Sequence, residues 1–333
     1  MLPSVFAAFV VEKDKAGQIT AGVQRRHYDE LPAGDVVVQV VWTSLNYKDA
    51  LAATGHPGVT RRFPHVPGID AAGYVVESAS PDFPVGTAVI ATGHELGVER
   101  WGGWSELIRL PAEWLVRLPP TLTLEEAMLL GTAGFTAAQG VMALQRSEIL
   151  PVSGPVVVTG ASGGVGSLSV AMLAGLGYEV VAVSGKPDRG EWLRDLGARR
   201  VIGRNEFLQT AERPLLKSQW SGGIDTVGGE MLSTLVRGLM HRGCVAACGV
   251  VGGAELLLTV YPFILRGVTL AGIDSAWCPD SQRQRIWHKL ATDWKPERLD
   301  RWRSETTLDE LPGAVRRILA GEIAGRTIVR INR

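Results

Sequence analysis

Apolar residues in the second half of the chain occur in short continuous runs that alternate with helical stretches. Residues 155 to 159 form one such run, between Gly154 and Gly160. A β-branched run of this length is typical of a strand buried on both faces of a sheet. Six candidate strands recur in this way, at 155–159, 179–183, 200–202, 223–227, 243–247 and 268–273. The alternation predicts an α/β domain with a doubly wound parallel sheet.

The first 120 residues follow a different pattern. Short strands, of which 36–44 is the clearest, alternate with turns rich in Gly and Pro, which indicates a small β-rich domain. A helix is predicted from Thr123, whose hydroxyl can cap it together with Glu126. The tail 325–331 has the pattern of a strand that returns to the first domain. We therefore expect two domains, formed by 1–120 with 297–333 and by 121–296.

A glycine-rich turn follows the strand 155–159 and precedes an apolar helical run. The turn is Gly160-Ala-Ser-Gly-Gly-Val-Gly166. Glycines at such a junction allow a tight turn and let a pyrophosphate approach the backbone beside the positive end of the helix. A glycine pattern alone is weak evidence, but this one is followed by a second strand, which is the context that supports it. It indicates a dinucleotide cofactor rather than a simple packing turn.

The end of the second strand discriminates between the two nicotinamide cofactors. An NAD site usually carries an Asp or Glu about 20 residues after the glycines, where it binds the ribose 2′-hydroxyl. This chain has Ser184, Gly185 and Lys186 there, with Arg189 and Arg200 beyond. A carboxylate would repel a 2′-phosphate, whereas a hydroxyl and a cation would bind it. The predicted cofactor is NADP(H), although these bases could also be ordinary solvated charges.

Composition narrows the function classes. Hydrophobic residues make up 46% of the 333 residues and charged residues 20%, so a large core is expected. Lys plus Arg and Asp plus Glu are both 34, which argues against nucleic acid or an anionic membrane as a partner. We see no signal peptide, and a cytoplasmic location is expected. Three cysteines are too few for a disulfide framework.

With these motifs assembled, the chain resembles the medium-chain dehydrogenase/reductase superfamily, and within it the zinc-free quinone oxidoreductase-like branch and the acrylyl-CoA reductase (NADPH) group. The resemblance covers nearly the whole length. It implies a Rossmann sheet inserted into a β-rich GroES-like catalytic domain that is closed by the C-terminus of the chain. The residues that carry it are 44–51, 63–64, 67–70, 131–136, 158–166, 184–186, 224–228, 244–249, 262–266 and 325–327.

The resemblance also implies an activity and a set of cofactor contacts. The activity is reduction of a short 2-enoyl-CoA, acrylyl-CoA to propionyl-CoA, by hydride transfer to the β-carbon. The implied NADP(H) contacts are Tyr47, Ser162, Gly163, Gly164, Val165, Ser184, Gly185, Lys186 and Arg200, with Val250, Ile264 and Ser275 as weaker matches.

Three residues are candidates for the chemistry. Without a metal, the enolate formed by hydride addition needs hydrogen-bond donors and a proton at the α-carbon. Tyr47 is the first candidate, because its hydroxyl could orient the reactants or supply that proton, although a water could do the same. Asn46 and Asp70 are weaker candidates and could equally hold the local backbone. Arg61 and Arg62 are candidate contacts for the phosphates of CoA, or else a solvated basic turn.

No zinc site is expected. Zinc-dependent relatives place ligands where this chain has Tyr47-Lys48 and Pro67-Gly-Ile-Asp70, and they carry four closely spaced cysteines that are missing here. Zinc needs three or four converging N, S or O ligands. Gly93-His94-Glu95 imitates a zinc motif after the wrong strand, and we expect His94 to be a solvated loop residue.

Two further activities remain open, and one assembly is predicted. NADPH:quinone reduction needs a flat apolar site without CoA contacts, and a non-catalytic NADPH-binding protein would oxidise NADPH with neither substrate class. The apolar last strand, 268–273, lies at the predicted sheet edge and could pair with its two-fold mate, so a homodimer is expected.

Overall fold

The computed structural model describes residues 3–208 and 213–331. The chain divides into two compact units. Unit 1 consists of residues 1–132, 276–291 and 299–333, and unit 2 consists of residues 133–275 and 292–298. Each unit has its own hydrophobic core.

The N-terminal part of unit 1 consists mainly of strands, as its many short apolar runs predict. Its elements, and the helix that follows them, are β1 (Val5–Lys13), β2 (Ile19–His27), β3 (Val36–Leu45), α1 (Tyr47–Ala53), β4 (Asp70–Ser78), β5 (Ala88–Thr92), β6 (Leu107–Leu110), β7 (Leu115–Arg117) and α2 (Leu124–Arg146). The pair β1 and β2 is antiparallel, and β3, β4, β5 and β7 are neighbours in a larger sheet.

Helix α2 begins with the predicted cap. The Thr123 hydroxyl accepts from Glu126 N at 3.1 Å, and Glu126 Oε2 accepts from Thr123 N at 3.0 Å. The helix bends at Gly131, whose φ of 50° is left-handed. By length and composition α2 could cross a membrane, but 83% of its most apolar window is buried within the protein, as in a core helix.

Unit 2 is built by strand and helix alternation. Its main elements are β8 (Val156–Thr159), α3 (Gly164–Gly175), β9 (Val180–Ser184), α4 (Gly190–Asp195), β10 (Arg200–Gly203), α5 (Arg204–Leu208), β11 (Trp220–Asp225), α6 (Gly229–Arg237), β12 (Leu239–Ala247), α7 (Tyr261–Arg266) and β13 (Thr269–Gly272). Within the described residues these strands form a parallel sheet in the order β10-β9-β8-β11-β12-β13. The six predicted strands are confirmed as members of one doubly wound sheet.

The C-terminal elements return to unit 1. They are α8 (Asp280–Ala291), β14 (Arg303–Thr307), α9 (Leu311–Leu319) and β15 (Arg326–Arg330). Strand β15 pairs antiparallel with β3, so the predicted return of the tail is confirmed.

The compact units differ in extent from the ranges expected from sequence. Unit 1 continues to Thr132, past the expected residue 120, and it also takes in 276–291. Hydrogen bonds account for both extensions: Thr132 N donates to Asp70 Oδ1 at 2.9 Å, and Arg283 of α8 donates to the carbonyl oxygen of Thr92 at 2.7 Å.

Candidate functional site

The glycine-rich turn of unit 2 has the conformation that its sequence predicts. Gly160 directly follows β8 and has a left-handed φ of 58°. Gly163 caps helix α3, and its N–H donates to the carbonyl oxygen of Gly160 at 2.9 Å. A Cβ at Gly166 would lie 2.2 Å from that same oxygen, so only glycine lets the helix pack this closely. The turn and the helix N-terminus together form a cradle suited to a phosphate group.

Polar side chains gather where β9 ends. The Ser184 hydroxyl donates to Ser162 Oγ at 3.1 Å, which joins this strand end to the glycine turn, and Lys186 N donates to Ser184 Oγ at 3.1 Å. Burial, with a smaller contribution from Arg189, lowers the pKa of the Lys186 ammonium. The structure therefore brings together the predicted residues Ser162, Ser184 and Lys186.

Arg204, which the sequence analysis did not name, also lies near the end of β9. The guanidinium group of Arg204 lies beside Gly185, where a Cβ would be 2.8 Å from an Arg204 nitrogen. Arg200, the predicted base, pairs with Val181 at the opposite end of the sheet. Neighbouring parallel strands end at the same side of a sheet, and Arg204 directly follows β10 whereas Arg200 begins it. This register could have indicated from sequence that Arg204, and not Arg200, lies near the end of β9.

The three residues that matched the cofactor contacts less securely lie after the last two strands of unit 2 or on the helix between them. Val250 follows β12, Ser275 follows β13, and Ile264 lies on α7. The side chains of Val250 and Ile264 are both exposed. Val165, which the resemblance also implied, is the second residue of α3.

In unit 1, a buried polar cluster surrounds Asp70, and we call it the Asp70 cluster. Asp70 Oδ2 accepts from Ser44 Oγ at 2.5 Å and from Asn46 Nδ2 at 3.0 Å. Asp70 Oδ1 accepts from the hydroxyl and the backbone N–H of Thr132 at 2.6 and 2.9 Å. Both oxygens are thus occupied by donors of the protein, so Asp70 is arranged to hold its neighbours rather than to deliver a proton. The other members of the cluster are Asp49 and Arg326.

Arg326, from the last strand, completes the cluster. Its Nη1 donates to Asn46 Oδ1 at 2.9 Å, and its Nε donates to the carbonyl oxygen of Leu129 at 2.9 Å. Its Nη2 lies 3.8 Å from Asp70 Oδ2, and both side chains are buried. Burial lowers the pKa of Arg326, and the carboxylates Asp70 and Asp49 oppose that change.

Asp49 is the second buried carboxyl group. Its Oδ1 accepts from Ile69 N and its Oδ2 from Asn46 N, both at 2.8 Å. Burial, and then the charge of Asp70, raise the pKa of Asp49 to about 7. The Asn46 side-chain amide also donates to Asp49 Oδ2 at 3.0 Å, so it lies between two carboxyl groups and the Arg326 guanidinium group, which together define its orientation.

Tyr47 is the first residue of α1 and directly follows Asn46. Its side chain is 40% exposed, so it belongs to the surface of unit 1 and not to the core. The candidates Tyr47, Asn46 and Asp70 are thus neighbours: Tyr47 is exposed, Asn46 is partly exposed and Asp70 is buried. Arg61 and Arg62 are exposed. Arg61 Nη1 lies 3.9 Å from Glu99 Oε1, the distance of a long surface ion pair.

His94 is not the solvated loop residue that sequence reasoning expected. Its ring stacks on Trp114 with centroids 4.9 Å apart, and its backbone N–H donates to the carbonyl oxygen of Ala276 at 2.9 Å. Burial, and then the charge of Arg283, lower the pKa of His94 to about 4. The expectation was wrong because Trp114 and Ala276 are distant in sequence and gave no local signal.

The residues of unit 1 do not fit a zinc ion. The described parts of the chain contain no group of three His, Cys, Asp or Glu that could hold a metal. The oxygens of Asp70 are already engaged by Ser44, Asn46 and Thr132.

Comparison with known proteins agrees with this architecture. The alcohol dehydrogenase GroES-like domain family matches residues 32–120, and the zinc-binding dehydrogenase family matches residues 164–290. The acrylyl-CoA reductase AcuI of Ruegeria pomeroyi is 44% identical over 329 residues, which cover 98% of this chain and 100% of that protein.

Two further relatives have similar folds. YhfP of Bacillus subtilis, which bears a quinone oxidoreductase name, is 44% identical over 99% of this chain and 100% of its own. Its structure with NAD bound has a TM-score of 0.95 and covers 98% of this chain. The YhdH oxidoreductase of Salmonella enterica in complex with NADP is 47% identical, with a TM-score of 0.95, and covers 98% of this chain and 100% of that one. The chain therefore belongs to the medium-chain dehydrogenase/reductase superfamily and, within it, to the group of acrylyl-CoA reductases and quinone oxidoreductase-like proteins.

Proposed function

We propose that this protein reduces the conjugated double bond of a short 2-enoyl-CoA with NADPH, with acrylyl-CoA as substrate and propionyl-CoA as product. The observation that carries the proposal is the similarity to an acrylyl-CoA reductase over 98% of this chain. The end of β9 supports NADPH as the cofactor, because Ser184, Lys186 and Arg204 supply a hydroxyl and two cations where an NAD site would carry an acid.

The residues of unit 2 would bind the cofactor in two parts. The hydroxyl of Ser184 and the cations of Lys186 and Arg204 would neutralise a 2′-phosphate, and the N–H groups of the turn would bind the pyrophosphate. When bound, NADPH supplies the hydride that the β-carbon of the enoyl thioester accepts.

In unit 1, the proposed role of Tyr47 is hydrogen-bond donation to the thioester oxygen, where negative charge develops. Its exposed hydroxyl, or a water beside it, would supply the proton to the α-carbon. We assign Asp70 and Asn46 to positioning Tyr47, because their polar atoms are engaged within the Asp70 cluster. Arg61 and Arg62 are exposed, and we keep them as candidate contacts for CoA phosphates.

Rates of NADPH oxidation with acrylyl-CoA, crotonyl-CoA and a simple quinone test this proposal. We expect fast oxidation with acrylyl-CoA and little with the quinone. The quinone oxidoreductase name of YhfP favours the second candidate function, NADPH:quinone reduction. A strong quinone rate with no acyl-CoA rate would establish that second function, and no oxidation with any acceptor would leave a non-catalytic NADPH-binding protein.

Lys186→Glu tests the cofactor assignment. A carboxylate at this position would repel the 2′-phosphate of NADPH, which NADH lacks, so NADPH binding should lose about 1–3 kcal/mol and NADH binding much less. Dissociation constants for both cofactors measure this, and Lys217→Glu is a control with the same charge change. Equal losses for NADPH and NADH would remove Lys186 from the site.

A homodimer and a cytoplasmic location complete the proposal. Strand β13 is an edge of the sheet, and Val260, Ile264 and Leu265 before it expose apolar side chains. Such an edge can pair with its two-fold mate. Light scattering at micromolar concentration should give the mass of a dimer, and a monomer would contradict it. Cell fractionation tests the location.

A further inference from the structure

A buried carboxylate in unit 2, Asp225, has no role in the mechanism above. It ends strand β11, its side chain is fully buried, and it lies at the edge of the sheet where β8 also ends. Asp225 Oδ1 accepts from the Thr159 hydroxyl at 2.6 Å. Thr159 is the last residue of β8, so this bond reaches the residue directly before the glycine turn.

The other oxygen of Asp225 holds a second loop. Asp225 Oδ2 accepts from Gly228 N at 2.7 Å and from Val227 N at 3.3 Å. Thr226 closes the connection, since its hydroxyl donates to the carbonyl oxygen of Thr159 at 2.9 Å and its N–H donates to Thr159 Oγ1 at 3.1 Å. The loop after β11 and the start of the glycine turn are therefore joined by side-chain hydrogen bonds on both sides.

A third loop rests on the second with no space between them. A Cβ at Gly249 would lie 1.8 Å from the carbonyl carbon of Thr226, and a Cβ at Gly160 would lie 2.3 Å from Thr226 Oγ1. Gly252 N donates to the carbonyl oxygen of Val227 at 2.7 Å. The loops after β8, β11 and β12 thus contact one another around Thr226, the first through its hydroxyl and the third through its backbone.

We propose that Asp225 is a positioning residue that preorganises the cofactor site. Its buried carboxylate holds the glycine turn through Thr159. Through Val227 and Gly228 it also holds the loop after β11, which in turn supports residues 249–253. This inference rests on the proposed function, since the glycine turn is taken as the pyrophosphate cradle. A carboxylate holds these donors more firmly than a neutral side chain would, because charge-assisted hydrogen bonds are stronger and shorter. Burial raises the pKa of Asp225, whereas the Thr159 hydroxyl and the two N–H donors oppose that change.

The role predicts which part of the cofactor is affected. The Asp225 side chain is hydrogen-bonded to Thr159, directly before the glycine turn, and to the loop after β11, whereas Ser184 at the end of β9 meets the turn three residues further along, at Ser162. Its loss should therefore weaken the hold on the pyrophosphate and nicotinamide, while the pocket for the 2′-phosphate stays intact. NADPH and adenosine 2′-monophosphate, which lacks the pyrophosphate, separate these two parts.

The test is Asp225→Asn, which keeps the shape of the side chain but removes its charge. Losing charge-assisted bonds should raise the NADPH dissociation constant about tenfold or more and leave that of adenosine 2′-monophosphate within about twofold of wild type. Thr159→Val removes the partner hydroxyl, and the double variant should lose less than the sum of the two single losses, because both changes break the bond between Asp225 and Thr159. Glu179→Gln changes an exposed charge directly before β9; it is the control and should bind like wild type.

Two outcomes would overturn the inference: Asp225→Asn binding NADPH like wild type, or losing both ligands equally, which would indicate a general structural role. The readout is binding, so it does not depend on which acceptor is reduced. A wild-type protein that binds no NADPH would instead overturn the proposed function itself.

Discussion

The Asp70 cluster of unit 1 and the glycine-rich loops of unit 2 order their surroundings by opposite means. The first uses charged and polar side chains, Asp49, Asp70 and Arg326 with the Asn46 amide between them. The second uses close contacts that are possible only because Gly160, Gly228 and Gly249 have no side chain, together with the buried carboxylate of Asp225. One region should therefore be sensitive to losing a charge, and the other to gaining a methyl group.

Removing Arg326 should have the largest effect. Arg326→Met leaves Asp70 buried without its cation and removes the hydrogen bonds that Arg326 donates to the carbonyl oxygens of Leu129 and Met128. Breaking a buried pair in this way costs about 3–5 kcal/mol in the free energy of unfolding. Denaturant unfolding measures it. Arg330→Met on the same strand is the control, because Arg330 is half exposed, and it should cost less than about 1 kcal/mol. Equal losses in the two variants would show that the cluster contributes no special stability.

The second largest effect on stability should come from adding a methyl group at Gly249, in the loop after β12. Gly249→Ala places a carbon 1.8 Å from the Thr226 backbone, which cannot move without displacing the loop after β11. We expect a loss of about 1–3 kcal/mol in unfolding free energy, together with weaker NADPH binding.

Gly175→Ala is the matched control, because a Cβ there meets nothing within 4 Å and alanine favours the helix. It should be neutral or stabilising by up to about 1 kcal/mol. If Gly249→Ala matched this control, the loops would be looser than the structure describes.

The final prediction, the smallest when it is counted per pH unit, is a pH dependence in unit 1. Burial and Asp70 raise the pKa of Asp49 from 3.8 to about 7, so between these values the folded protein holds a proton that the unfolded chain has released. The free energy of unfolding should therefore fall as the pH rises through this window, by at most about 1.4 kcal/mol per pH unit, and level off above it.

Asp49→Asn cannot titrate and should lose that slope, whereas the exposed control Asp82→Asn should keep it. Chemical unfolding at several pH values makes the comparison. A variant with the wild-type slope would assign the titration to another group.

The same contrast explains what the sequence could predict. The strands and the glycine turn of unit 2 were predictable because each depends on a short contiguous pattern, and the register of parallel strands would also have favoured Arg204 over Arg200. The Asp70 cluster was not predictable, because Asn46 and Arg326 are 280 positions apart and only the pairing of β15 with β3 brings them together. His94 was misjudged for the same reason, since its contacts come from Trp114 and Ala276.

The position of isotope in the product tests the proposed reaction most directly. The protein would be incubated with acrylyl-CoA and NADPH that carries deuterium at the transferred position, and the product analysed by mass spectrometry and NMR. The account predicts propionyl-CoA with one deuterium on the β-carbon and a solvent proton on the α-carbon. Deuterium on the α-carbon, or no propionyl-CoA from a protein that reduces quinones with the same NADPH, would contradict it.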